Sequence, residues 1–310
     1  MKQACRKAFT EELLALARED SRIVALTSDA AGSVTLGEFA QQLPGQFVET
    51  GIAEQNEIGV AGGMADSGMI PFVCAPAPFL SGRSYEQIKI DVAYNRRNVK
   101  LIGVSGGLSY GNLGMSHHSL QDIAALRAIP DLTVLMPSDG WQTRALTRTI
   151  ARTEGAVYMR MGRAPVPYIY QKEDTFEIGK VRCLRDGGDV AILAVGEMVW
   201  HCCGAAELLS TKGIEATVLD MYSVKPMDRE AVLQAAQRTG RLVTAEEHSV
   251  YGGLGGAVCE LTAQACPVPV KVIGAPDGHI AAGESDQVYS YYHWTAEGIA
   301  QTVEQWLQTF

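Results

Sequence analysis

No apolar run in this chain approaches the ~20 residues needed to span a bilayer, which argues against a membrane protein. The N-terminal Met-Lys-Gln-Ala-Cys-Arg-Lys lacks the apolar stretch of a secretory leader and opens a charged amphipathic segment instead. An excess of positive charge is also missing. The formal net charge is −9, so neither nucleic acid nor an anionic membrane is expected as a partner. The seven cysteines, at 5, 74, 183, 202, 203, 259 and 266, form neither a CxxC pair nor a cluster with zinc spacing. They read as reduced thiols of a cytoplasmic protein, and no metal site is expected on this chain. Internal repeats and low-complexity tracts are absent too. Glycine, at 32 of 310 residues, is the one plentiful type, about half again above its usual ~7%. Many tight turns and close backbone approaches follow from it.

Strand-like apolar runs alternate with helical patterns from end to end, the signature of parallel sheets with crossover helices. Strands are predicted at Ile23–Thr27, Phe72–Ala75, Lys100–Val104, Thr133–Met136 and Val157–Met159. Helices are predicted over Cys5–Arg18, Glu54–Ser67, Gly82–Asn95 and Gly140–Thr153. A proline-bearing, then polar, stretch marks a linker. Beyond it the alternation resumes, with strands at Val190–Val195, Ala216–Leu219, Arg241–Ala245 and Val270–Ile273. The helices there are Glu197–Lys212, Asp228–Gln237, Leu254–Ala265 and Thr295–Leu307. The expected class is α/β with two doubly wound sheet domains, residues 1–170 and 186–310, joined by a linker over 171–185.

The chemistry concentrates in Phe47-Val-Glu-Thr-Gly-Ile-Ala-Glu54-Gln-Asn, where a short strand meets a glycine turn and Glu54 opens a helix. Alone, Glu54 is accounted for as an acid favoured by the helix dipole. With the Gly/Ala-rich helix that follows, however, the segment resembles the pyrimidine-binding domain of transketolases and 1-deoxyxylulose-5-phosphate synthases. In that family the matching glutamate hydrogen-bonds N1′ of the thiamine aminopyrimidine and so helps remove the thiazolium C2 proton. That chemistry needs a carboxyl in a dry site within hydrogen-bond reach. The resemblance extends over nearly the whole chain. Ala77-Pro-Phe79-Leu-Ser-Gly-Arg-Ser-Tyr85 matches the stretch whose aromatics hold the pyrimidine, which implies that Phe79 stacks and Tyr85 lines the pocket. Gly82 stands where many members have a second aromatic.

The same resemblance implies a substrate end. Arg6 and Arg163 fall on phosphate-binding arginines, for which forked guanidinium donors are suited. Ser33 falls on a phosphate-contacting serine, and Asp29 is placed near the cofactor end of the sheet. His117 matches a histidine that contacts the substrate oxyanion. Two departures stand beside it: Ser105 replaces a substrate-holding histidine and Leu113 an acid. Apolar Leu113 cannot accept a hydroxyl hydrogen bond, so an unusual sugar substrate is expected. His117 and adjacent His118 have no further ligand spaced to make a metal site with them. Asp220-Met-Tyr-Ser-Val-Lys-Pro, Glu246-Glu-His248 and Gly252-Gly-Leu-Gly-Gly resemble the transketolase C-terminal domain, in which His248 is expected to be structural.

The Gly-Asp-Gly…Asn pattern with which thiamine enzymes hold diphosphate through Mg²⁺ is missing; the only Gly-Asp is Gly188-Asp-Val. The resemblance therefore implies the C-terminal subunit of a split transketolase. Thiamine diphosphate would be shared with an N-terminal subunit that carries the Mg²⁺ ligands, and two copies of each would form a heterotetramer. The reaction implied is transfer of a two-carbon ketol unit from a ketose or ketose phosphate donor to an aldehyde acceptor. The starting Met1 favours a split enzyme over a fragment. A 2-oxoacid dehydrogenase β subunit and an inactive regulatory subunit are the alternatives.

Overall fold

The computed structural model describes residues 2–310. Fourteen strands form three sheets. They run β1 Lys2–Ala4, β2 Ile23–Thr27, β3 Phe47–Glu49, β4 Ile70–Pro76, β5 Lys100–Val104, β6 Thr133–Leu135 and β7 Val157–Met161. The series continues with β8 Pro165–Pro167, β9 Arg182–Arg185, β10 Val190–Ala194, β11 Ala216–Asp220, β12 Ser223–Lys225, β13 Leu242–Ser249 and β14 Val270–Ala275. The first large sheet has the order β12-β6-β7-β5-β4-β2-β3 and the second β14-β13-β10-β11-β9. Both are parallel except at one edge, where β12 and β9 run antiparallel to their neighbours. The short β1 pairs with β8, whose prolines suit an edge.

Buried parallel strands must be apolar on both faces, and these are. Side chains alternate along β2 and β4: Val24, Leu26, Val73 and Ala75 pack on one face with Ile58 and Ala61 of the helix Glu54–Asp66. Ile23, Ala25, Phe72 and Cys74 meet Phe9 and Leu13 of the helix Cys5–Glu19 on the other. Burying each large apolar side chain contributes about 1.5–3 kcal/mol.

Most predicted elements fall within a residue or two of the observed ones. Gly82–Asn95 does not. A helix starts earlier, at Ala77, with Pro78 in the first turn where a missing N–H costs nothing. It ends at Arg83; Ser84 leaves helical geometry, and Ile88–Tyr94 follows as a wider π-helical turn. The first sheet also takes its edge strand, β12, from beyond the expected linker.

The two halves meet over one apolar core in which Val134 and Met136 join Leu193, Val195 and Met221. At its border lies a buried charge. Arg160, on β7, is 2% exposed; its Nη1 donates to Asp122 at 3.0 Å and its Nη2 to the Glu247 carbonyl at 2.7 Å. Tyr158 donates to the same Asp122 at 2.6 Å, and Glu247 Oε1 accepts from Leu108 N at 2.6 Å. Gly106 and Gly107 allow this approach, since a Cβ on either would run into Arg160 or Glu247, and Gly107 has φ +61°. His248 sits at the same seam, 0% exposed, accepting from Ala124 N and bonded to the Ser249 carbonyl, a structural post.

Removing one partner of a buried ion pair strands the other. Asp122→Ala is therefore expected to lower the unfolding free energy of the chain by about 3 kcal/mol or more, read from urea denaturation. A loss under about 1 kcal/mol would mean that the seam does not depend on this charge.

Candidate functional site

In open parallel sheets, ligand-binding groups collect beyond the carboxyl ends of the strands, near where strand order reverses. Asp29 follows β2, Glu54 follows β3, Phe79 follows β4, Tyr110 and His117 follow β5, and Arg163 follows β7. The chain steps from β2 to β3 on one side and then to β4 on the other, so Glu54 and Phe79 flank that reversal.

Glu54 begins its helix after a turn at Gly51, whose φ is +70°, and is 5% exposed. Its Oε1 accepts from Arg83 Nη1 at 2.5 Å. The Arg83 guanidinium lies over the Phe79 ring, 4.0 Å from its centroid. Phe79 meets His117 edge-on at 5.1 Å, and His117 meets Tyr110 likewise at 5.2 Å. Arg163 lies over Tyr110 at 5.1 Å. Arg6 is held lower than an ordinary arginine by burial and then by the like charge of Arg163. Its Nη1 donates to the Ser33 carbonyl at 2.6 Å, so Ser33 presents its backbone, not its hydroxyl, to this arginine. One continuous line of contacts thus runs from a buried acid to Arg163, whose charge is felt by Arg6.

Two expected residues stand outside that line. Tyr85 is 36% exposed just past Ser84, and Asp29 is exposed in a left-handed turn, its N–H donating to Glu49 at 2.7 Å. Of the two departures, Leu113 is 54% exposed, whereas Ser105 is fully buried with φ +60° and its hydroxyl unpartnered. His118 is buried and bonded to the Gly111 carbonyl at 3.0 Å, which ties down the loop that carries His117. Among the described residues no group of three His, Cys, Asp or Glu side chains is arranged to hold a metal ion. No helix among them is long and apolar enough to cross a membrane.

Three residues of the site escaped the sequence reading. Arg83 and Tyr110 complete the line of contacts. Glu57, one turn beyond Glu54, is wholly buried; Ser28 donates to one of its oxygens and the other has no partner. Burial pushes its carboxyl up to about 8, with the Glu54 and Glu49 charges adding and the Ser28 bond opposing. The available signal was the pair of acids at positions 54 and 57 in one helical turn.

Residues 1–167 match the family described as "Transketolase, pyrimidine binding domain" and residues 179–299 that described as "Transketolase, C-terminal domain". The chain belongs to the transketolase family and carries these two domains. It is 51% identical to an apulose-4-phosphate transketolase subunit of Phocaeicola vulgatus, over 98% of both chains. Its identity to the 6-deoxy-6-sulfo-D-fructose transketolase subunit of Clostridium sp. is 41%, over 97% of this chain and 93% of the other. In three dimensions it matches a solved split-gene transketolase, described as an inactive beta4 tetramer, with a TM-score of 0.89 at 38% identity. That match covers 99% of both chains. The α/β class and the likeness to C-terminal subunits of split transketolases expected from the sequence are thereby borne out.

The Glu57 carboxyl generates a pH prediction. Its folded pKa lies above the unfolded value, so the folded state holds a proton that the unfolded state has released between about 4.5 and 8. Stability is full below that window and falls as pH rises through it. Glu197 and Glu247, also pushed up by burial, contribute in the same direction. In Glu57→Gln the decline between pH 5 and pH 8 should therefore be shallower than in the natural chain, by on the order of 2 kcal/mol. Urea denaturation at a series of pH values reads this. Parallel curves would show that Glu57 is ionised in the folded chain.

Proposed function

We propose that this chain supplies the pyrimidine-binding half of the active site of a thiamine-diphosphate-dependent transketolase. In this reading a second, diphosphate-binding chain completes the site. The observation that carries the reading is the pairing of a buried carboxylate, Glu54, with an aromatic face, Phe79, at the reversal of strand order. A flat heteroaromatic ring with a basic nitrogen needs both. The cofactor, when bound, supplies carbanion stabilisation for two-carbon ketol transfer. Glu54 would exchange a proton through its carboxyl oxygen with the ring nitrogen, and Phe79 would hold the ring, with Tyr85 and Asp29 nearby. His117 Nδ1 is 2.9 Å from the Ser116 hydroxyl. The one proton of that hydroxyl is donated to the Leu113 carbonyl at 3.3 Å, so Nδ1–H donates to Ser116 and Nε2 would be left to accept a hydrogen bond from a substrate hydroxyl.

Arg6 and Arg163 would read an anionic end of the substrate, and Ser33 would flank them. The named substrates of the two relatives fit this chemistry, one bearing a phosphate and the other a sulfo group. Apolar, exposed Leu113 supports a ketose with an unusual hydroxyl pattern, of which an apulose-4-phosphate-like sugar is one. Mg²⁺ ligands would lie on the partner, and two of each chain would assemble as a heterotetramer. The split-gene neighbour's description as an inactive beta4 tetramer supports the need for that partner.

The reading makes two demands. The pure chain should bind thiamine diphosphate with Mg²⁺ poorly; tight binding in titration calorimetry would sink the two-chain arrangement. In the reconstituted assembly, Glu54→Gln should cut turnover by at least about 10² with assembly intact and slow deuterium exchange at thiazolium C2. Normal exchange in that variant would remove Glu54 from the chemistry. The substrate reading has its own check. Arg163→Met should raise KM for an anionic ketose by about tenfold or more, with a much smaller change in kcat.

A further inference from the structure

Arg83 already makes both contacts on which the proposed function rests. Its guanidinium is a flat, positively charged plate that donates to Glu54 Oε1 at 2.5 Å while lying 4.0 Å from the Phe79 centroid. An aminopyrimidine ring held by the same two residues would be a flat plate over Phe79 with one nitrogen against Glu54. Two plates cannot share that space. We propose that Arg83 is a built-in competitor for the cofactor ring, so that cofactor binding is an exchange in which the guanidinium is displaced from Glu54 and Phe79. The inference rests on the reading of Glu54 and Phe79 given above and goes beyond it.

The surroundings of Arg83 suit a side chain that moves on a fixed backbone. Its carbonyl is anchored by Gln55 Nε2 at 3.1 Å, across from the helix that begins at Glu54. Its side chain is 48% exposed, although Glu54 beneath it is only 6% exposed. Beside it, a Cβ at Gly82 would meet nothing within 4 Å, and a cleft of about 350 Å³ lined by Phe79, Gly82, Arg83, Met115 and Ser116 lies alongside. The guanidinium therefore has somewhere to go without disturbing the core.

The arrangement has a chemical purpose that follows from the desolvation of Glu54. A buried carboxylate with no partner is costly, and a neighbouring cation removes that cost. Once a ring nitrogen takes over the hydrogen bond, Arg83 is released toward solvent, where its charge is hydrated. The affinity measured for the cofactor is then the difference between two occupants of one site, lowered by whatever Arg83 contributes there.

The test uses this chain reconstituted with the diphosphate-binding subunit, with thiamine diphosphate and Mg²⁺ as the probe. Arg83→Ala and Arg83→Ser remove the competing donor together with its bulk over Phe79. Both should tighten the cofactor Kd by about fivefold, the scale of a half-exposed charge pair. Both should also speed association in stopped-flow fluorescence. An unchanged or weakened Kd in both variants, with Glu54→Gln still slowing C2 exchange, overturns the competitor role and leaves the functional reading in place. Normal C2 exchange in Glu54→Gln overturns both.

Discussion

A guanidinium shut away from water must find partners, and the placement of this site depends on how Arg160 finds them. Its charge sits at the end of β7, between the two halves of the chain. One partner, Asp122, comes from the first half and the other, Glu247, from the second. Coulomb attraction in a low-dielectric seam is strong, yet the desolvation it offsets is of similar size. The net yield in stability is small; the yield in geometry is not. Glu247 also takes the Leu108 N–H, and so fixes the start of the loop that carries Tyr110 and His117. The seam and the site are thus a single piece of architecture. A residue of the second half sets where a residue of the first half points.

The site itself has two electrical ends. At one, Glu54 and Glu57 gather carboxyls under a helix N-terminus, where the dipole favours negative charge. At the other, Arg6 and Arg163 gather positive charge. Aromatic rings span the interval: Phe79, His117 and Tyr110 meet edge to face, with an arginine over each terminal ring. Rings of this kind are stiff, with only two torsions to fix, so the distance between acid and arginines is set with little entropic cost. The line thus holds carboxyls at one end and guanidinium groups at the other.

The apolar strands could be located in the sequence because a strand buried on both faces is a continuous hydrophobic run, and Ile23–Thr27 and Lys100–Val104 are such runs. The break at Ser84 was not legible, since nothing in Gly82–Asn95 interrupts helical periodicity; packing imposes it. Short edge strands such as β1 and β12 carry no periodic signal at three residues each. Among site residues, Glu54, Phe79 and the two arginines stood out through a family pattern. Arg83 did not, because an arginine in the last turn of a helix is accounted for by the helix dipole. Tyr110 sits in a glycine-rich loop without periodicity, and its role depends on contacts with Arg163 and His117. Arg160 is a cation in a buried strand whose partners lie 38 and 87 residues from it. Such pairings exist only in three dimensions.

The edge strand β12 has a consequence for the order in which the molecule can be made. It lies at Ser223–Lys225, behind β9, β10 and β11 of the second sheet in the chain, yet it closes the first sheet against Thr133–Leu135. On a ribosome the parallel strands β2 to β7 emerge long before it does. Until then β6 is an open edge, with unpaired backbone groups able to recruit another nascent chain. The first sheet is sealed only when the ribosome has passed well into the second half.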